Sequence, residues 1–175
     1  MAVRTVDRAM PSSDDVPHLL QTVIDTPAPR ELAEFYRSLL GLRYRDGDAP
    51  DADESKQPEW LVLTADDGTR RLAFQLAPDL PRPQWPAGSP PQMLHLDLTV
   101  DSTAALEQQR ARALRLGAAV LNDRSADVDE PLIVFADPSG HPFCIFVARA
   151  PRPDNRSATG RPWGRPVADR GSQSS

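Results

Sequence analysis

A histidine and an aspartate two residues apart are the side chains best placed for chemistry. His95 and Asp97 alternate with leucines in residues 94–100, which predicts that both lie on one face of a β-strand. The carboxylate could then orient the imidazole, which could donate a hydrogen bond or act as a general base near neutral pH. In the alternative interpretation, His95 is an inward polar residue whose hydrogen bond to Asp97 or Gln21 is purely structural.

The single cysteine and a second histidine are weaker candidates. Cys144 stands between Phe143 and Ile145, which is typical of a buried core thiol with a normal or raised pKa rather than of a nucleophile. His141 follows Gly140 in a predicted turn, and we expect it to be exposed and to complete that turn. One cysteine excludes an intramolecular disulfide and a cysteine zinc cluster. The sequence also lacks phosphate-loop, nucleophile-elbow and C-x-x-C motifs.

Charge and composition exclude several classes of protein. The 175 residues carry a net charge of −5, with 39% hydrophobic and 26% charged residues, as in soluble globular chains. An acidic chain has no general attraction to nucleic acid, and no apolar run is long enough to span a membrane. No export leader opens the sequence, and Lys56 is the only lysine among many arginines. We therefore expect a cytoplasmic protein from a GC-rich bacterium.

Breaks in the apolar pattern divide the chain. Residues 1–15 and 150–175 have too few apolar side chains for their burial to offset the conformational entropy lost on ordering. We therefore expect both ends to be disordered. The acid-rich residues 46–59 are expected to form a solvated loop. Residues 79–91 are rich in proline, which lacks a backbone donor and fixes φ, so they predict a semi-rigid linker. One domain remains, residues 16–149, with module one over 16–78 and module two over 92–149.

Periodicity predicts the same order of elements in both modules. Helices are expected over residues 29–40 and from Asp101 or Ser102 to about residue 116, each ended by a glycine. Strands are expected at 19–26, 42–45, 60–64 and 71–76, and then at 94–100, 118–121, 132–136 and 143–147. A turn with proline at its second position is expected at residues 137–140. The chain therefore repeats a βαβββ unit.

Two motifs add a family resemblance to this repeat. Residues 29–42 read PRELAEFYRSLLGL, and residues 136–143 read ADPSGHPF. Together they resemble the vicinal oxygen chelate superfamily of glyoxalase and bleomycin-resistance proteins, and within it the bacterial glyoxalase-like domain group. The resemblance covers about residues 16–149. It implies an α+β fold in which two paired βαβββ modules place curved mixed sheets around a central pocket.

In that architecture the first strand of each module has one face toward its helix and one toward the pocket. Leu20 and Leu94 are expected to face the helices with the other alternating apolar residues. The proline-rich linker would cross the pocket mouth, where its tryptophan is either a hydrophobic latch or an aromatic wall for a planar ligand. The residues predicted to bind the ligand, with His95 and Asp97 as the catalytic candidates, are Gln21, Asp25, His95, Asp97, Thr99, Trp85 and Phe146.

The resemblance also implies where a metal would be held in metal-using members of the superfamily. Carried over by position, the ligands fall on Gln21, His95 and Cys144, and on Ala73 or Gln75 in module one. Both carboxylates expected of such a site are missing, and the remaining donors do not suit Mg, Mn or Fe. We therefore expect no cofactor. A zinc ion held by Gln21, His95 and Cys144 is the alternative.

The resemblance implies a metal-independent protein that binds or sequesters a small organic molecule, in the manner of bleomycin-resistance proteins, and forms a homodimer. One alternative is a metal-dependent lyase, isomerase or thiol transferase of the same superfamily, which leaves open whether the chain is an enzyme. A second alternative is a protein-interaction module whose pocket is vestigial.

Overall fold

The repeat predicted from the sequence is present in the computed structural model, which describes residues 16–50 and 57–148. The expected disordered ends, 1–15 and 150–175, lie outside the described residues, as does part of the acid-rich loop, 51–56. Module one contains β1 (Thr22–Thr26), α1 (Pro29–Leu40), β2 (Arg43–Tyr44), β3 (Trp60–Thr64) and β4 (Arg70–Leu76). Module two contains β5 (Leu96–Val100), α2 (Thr103–Arg115), β6 (Ala119–Arg124), β7 (Leu132–Ala136) and β8 (Pro142–Val147).

Each module forms one four-stranded mixed sheet. The strand orders are β1-β4-β3-β2 and β5-β8-β7-β6. The first strand pairs in parallel with the last in both modules, and the other pairs are antiparallel. Two helices accompany the two sheets, so the α+β class and the paired βαβββ architecture are confirmed.

The first strands begin later than predicted. Pairing starts only at Thr22 with Leu72 and at Leu96 with Phe143, so the residues before these points have no ladder partner. Leu20 and Leu94 are consequently 60% and 59% exposed. The prediction that these two leucines face the helices was wrong. The alternation itself holds from the strand start onward.

Both helices begin and end where local chemistry predicts. Proline suits the first turn of α1, where no backbone donor is required. Gly41 ends that helix in the left-handed conformation, at φ 68°. Ser102 caps α2, its hydroxyl accepting a hydrogen bond from the backbone N of Ala105 over 3.1 Å. None of the helices in the described ranges is both long and apolar enough to cross a bilayer.

One hydrophobic core joins the two modules. Phe35 and Tyr36 of α1 pack edge-on against Phe143 of β8, with ring centroids 5.8 and 6.2 Å apart. Tyr36 also stacks on Phe74 of β4 at 5.9 Å. All four side chains are at most 3% exposed. The first helix therefore fixes the position of its own sheet relative to the second module, and this places the two first strands around a shared cavity.

Candidate functional site

A cavity of about 290 Å³ lies where the two modules meet. Residues of β1 form one side, residues leading into β5 form another, and the proline-rich segment supplies much of the remaining wall. Most of the surface is apolar, and a few polar groups interrupt it. The lining residues are Val23, Ile24, Asp25, Tyr36, Leu80, Pro81, Pro83, Pro90, Pro91, Gln92, Met93, Leu94, His95, Leu96, His141 and Pro142.

The proline-rich wall is attached to the second module by an arginine. Nη1 of Arg82 donates a hydrogen bond to the carbonyl of Pro138 over 3.0 Å. The guanidinium passes directly over Gly140, where an added Cβ would lie 2.9 Å from Nε of Arg82. Gly140 also has a φ of 98°, which favours glycine. The turn between β7 and β8 therefore needs glycine both for its own backbone and for holding the cavity wall.

His95 lines the cavity and contacts Asp97, which does not line it. Nε2 of His95 lies 3.3 Å from Oδ1 of Asp97, and the two side chains are 27% and 53% exposed. Alternation along the chain brings them together, as the sequence predicted. Asp97 is not among the described residues that line the cavity. Its position allows it to orient the imidazole rather than to contact a ligand.

Cys144 is a core thiol, as predicted. It is 1% exposed, and its Sγ donates a hydrogen bond to Oδ1 of Asp97 over 2.8 Å. Burial raises the pKa of the thiol, and the hydrogen bond to Asp97 and that residue's negative charge raise it further. Cys144 therefore remains protonated at neutral pH in the metal-free protein, which disfavours it as a nucleophile.

The metal-ligand positions implied by the fold do not fit a metal. Gln21 supplies a neutral amide, His95 an imidazole engaged with Asp97, and Cys144 a protonated thiol that donates to the same carboxylate. Within residues 16–50 and 57–148, no three His, Cys, Asp or Glu side chains are grouped so as to hold an ion. Mg, Mn and Fe prefer carboxylate and other oxygen ligands, of which these positions provide only the amide oxygen of Gln21.

Of the other predicted ligand contacts, one lines this cavity and four do not. Asp25 lines it, whereas Gln21, Thr99, Trp85 and Phe146 are not among its described lining residues. Thr99 is four residues from His95, which is about 13 Å along a strand. Phe146 pairs with Thr99 at that distant position.

Sequence reasoning missed a second polar cluster on the wall. His141 is only 21% exposed at its side chain and lines the cavity, so the expectation of an exposed turn residue was wrong. Its Nδ1 lies 3.0 Å from Oδ2 of Asp137, and the same oxygen accepts a hydrogen bond from Oη of Tyr36 over 3.0 Å. Asp137 is 1% exposed. The available signal was the spacing of an aspartate and a histidine across a four-residue turn.

The tyrosine of this cluster stays protonated. Burial raises the pKa of Tyr36 well above its ordinary value, and the nearby Asp137 carboxylate raises it further through charge and hydrogen bonding. Tyr36 is therefore a permanent donor to Asp137. The cluster joins α1 of module one to the β7–β8 turn of module two, so it exists only when the modules are packed together.

Comparison with known proteins agrees with this architecture. A glyoxalase/dioxygenase from Nostoc punctiforme is 17% identical, with a TM-score of 0.54, and the match covers 81% of this chain and 98% of that one. A glyoxalase/bleomycin resistance protein/dioxygenase family enzyme from Burkholderia phytofirmans is also 17% identical, with a TM-score of 0.52 and coverage of 73% and 96%. These similarities show the fold. A search of curated protein sequences found no match.

A further structural neighbour carries a metal. The fosfomycin resistance protein FosX from Listeria monocytogenes, solved with Mn(II) and a sulfate ion, is 11% identical with a TM-score of 0.53; the match covers 77% of this chain and 94% of that one. Residues 21–146 of this chain match the glyoxalase-like domain family, which is most of its length. The chain belongs to the glyoxalase-like domain family.

Proposed function

We propose that this protein binds a small organic molecule in the cavity between its two modules and does so without a metal. The single observation that supports this most directly is the cavity itself, which is mostly apolar and has a few convergent polar groups. Pockets that bind small molecules have this character and usually measure roughly 300–1,000 Å³. At about 290 Å³, the cavity favours a compact ligand.

The polar groups on the wall suggest how such a ligand would be oriented. His95 and Asp25 are the predicted ligand contacts that line the cavity. The contact between His95 and Asp97 supports a role for Asp97 as a positioning residue. The apolar wall would supply most of the binding free energy, and these side chains would supply orientation.

Binding can be tested on the full chain, by native mass spectrometry of the protein as purified and by thermal shift after dialysis against a chelator. Native mass spectrometry would detect a copurified ligand, and a thermal-shift screen of small aromatic and aliphatic compounds would find others. We expect ligands that raise the melting temperature with no added metal. His95→Ala should weaken binding about tenfold, the cost of one lost hydrogen bond to a polar or charged group. Thr99→Ala, on the same strand face but away from the cavity, is the matched control.

The same measurements distinguish the alternatives. A stoichiometric metal adduct that disappears in His95→Ala would contradict the metal-free proposal and favour a metal-dependent enzyme of the superfamily. Equal weakening by Thr99→Ala and His95→Ala would contradict the assignment of the ligand to this cavity. The native mass spectrum also reports the oligomeric state, for which a homodimer stays the prediction.

A further inference from the structure

The hydrogen bonds among Tyr36, Asp137 and His141 hold the imidazole of His141 in a position from which it could accept a proton. Both oxygens of Asp137 are engaged: Oδ1 accepts from the backbone N of His141 over 2.9 Å, and Oδ2 accepts from Tyr36 and lies 3.0 Å from Nδ1 of His141. A backbone bond of 3.0 Å from the N of Asp137 to the carbonyl of His141 closes the turn. The imidazole is therefore held by its own turn and by the first helix.

This geometry determines which nitrogen of His141 carries the proton. A carboxylate only accepts hydrogen bonds, so Nδ1 facing Asp137 is the protonated nitrogen of the neutral ring. Nε2 is then the nitrogen with a lone pair. A buried carboxylate in this position also stabilises the imidazolium that forms when Nε2 takes up a second proton, as in hydrolase triads. Because Asp137 is 1% exposed, water screens this interaction very little.

The surroundings of His141 favour a ligand that is neutral before it reacts. The ionisable groups of the cavity wall come from four elements: Asp25 of β1, Tyr36 of α1, His95 before β5, and His141 itself. Arg82 of the proline-rich segment contacts the same turn. A ligand that arrives as an anion would meet the carboxylate of Asp25 and a neutral imidazole, whereas an oxyanion formed by transfer to Nε2 is paired with the imidazolium that forms in the same step.

We propose that His141, held by Asp137, accepts the proton of a weakly acidic hydroxyl on a small apolar ligand in the cavity. The ligand O–H bond breaks, its electron pair stays on the oxygen, and the proton forms the Nε2–H bond of an imidazolium paired with Asp137. No oxidant, reductant or metal takes part. This inference rests on the proposed function, because it places the hydroxyl in the same cavity. Asp137 is the positioning residue.

Two probes that differ by one methyl group separate this step from simple binding. 4-Nitrophenol has a weakly acidic hydroxyl and turns yellow when it loses the proton, whereas 4-nitroanisole is its methyl ether and has no proton to give. The full chain is titrated with each probe at a pH between the ordinary pKa of histidine, about 6.5, and that of the phenol, so that the free phenol keeps its proton and an ordinary imidazole can still accept one. We expect the phenolate band to appear on binding, and the phenol to bind about tenfold more tightly than the ether.

A matched pair of variants assigns the proton acceptor. In His141→Asn the side-chain amide can replace Nδ1 in the bond to Asp137, but nothing replaces Nε2. We expect this variant to melt close to the parent, to bind the ether equally well and to lose both the phenolate band and the preference for the phenol. Thr99→Ala, which lies outside the residues that line the cavity, should keep both the band and the preference for the phenol.

Other outcomes overturn the inference in distinguishable ways. If both probes bind equally and no band appears, the proton step is wrong and the cavity still binds a small molecule. If the band persists in His141→Asn, or disappears equally in Thr99→Ala, the acceptor is not His141. If neither probe binds, the proposed function fails together with the inference.

Discussion

The thiol of Cys144 donates a hydrogen bond to Oδ1 of Asp97 over 2.8 Å, between the adjacent parallel strands β8 and β5. The same oxygen lies 3.3 Å from Nε2 of His95. One carboxylate therefore links a buried thiol to an imidazole on the cavity wall. Cys144 therefore helps to hold Asp97 in position, and as a buried hydrogen-bond donor it is a poor nucleophile.

The first prediction concerns the reactivity of this thiol. Because burial raises the pKa of Cys144 and encloses its sulfur, we expect reaction with a chromogenic disulfide at pH 8 to be at least about a hundredfold slower than in the unfolded protein. One thiol should react promptly after denaturation. Asp97→Asn removes the carboxylate that also raises this pKa, and it should speed the reaction only modestly since burial persists. Fast labelling of the native protein would contradict the buried assignment.

The second prediction concerns stability at alkaline pH. The pKa values of Cys144 and Tyr36 are raised above their ordinary values of 9.0 and 10.0 on folding. The unfolded chain loses these protons first, so the stabilisation is complete below pH 9 and is lost as the pH rises further. The free energy of unfolding should fall by at most about 1.4 kcal/mol per pH unit for each proton. Cys144→Ala should delay the fall until the tyrosine titrates, as urea melts at several pH values would show.

The third prediction concerns the hydroxyl of Tyr36. Tyr36→Phe removes a donor from the buried Asp137 and leaves the ring packing in place, so it should cost about 1–3 kcal/mol in the free energy of unfolding. Tyr44→Phe is the control, because this tyrosine is only partly buried and its hydroxyl interacts with Glu34, over 3.3 Å, and with Arg30; its cost should be smaller, below about 1 kcal/mol. Similar costs for the two variants would show that Asp137 does not depend on Tyr36.

The fourth prediction concerns the glycine beneath Arg82. Gly140→Ala introduces a strained φ and a methyl group 2.9 Å from Nε of the arginine. Gly68→Ala has a comparable φ of 81° with no atom within 4 Å of the new methyl group, so it reports the backbone cost alone, about 1 kcal/mol. We expect Gly140→Ala to be the more destabilising of the two and to weaken ligand binding by detaching the proline-rich wall. Equal melting temperatures and unchanged affinity in Gly140→Ala would count against that attachment.

Much of the fold follows from local patterns in the chain. The helix over Pro29–Leu40 has its predicted bounds, because proline at its start and glycine after its end act within a few residues. The βαβββ repeat follows because the same elements recur in the same order. Strand starts were less predictable. Whether Leu20 or Leu94 belongs to a strand depends on where a distant strand offers hydrogen-bond partners, which no local pattern records.

The candidate site also combines local contacts that could be predicted from the sequence with long-range contacts that could not. The contact of His95 with Asp97 could be predicted, because the two-residue alternation of β5 continues back to His95, the residue just before the strand. The environment of His141 could not be predicted, because it depends on residues that are far apart in the sequence. The hydroxyl of Tyr36 donates to Asp137, which is 101 residues away in the chain. The amino-acid sequence by itself determined the elements, their order and the protonated core thiol. Only the packing of α1 against the second module decided which polar groups share the cavity, since long-range contacts are made by the assembled core.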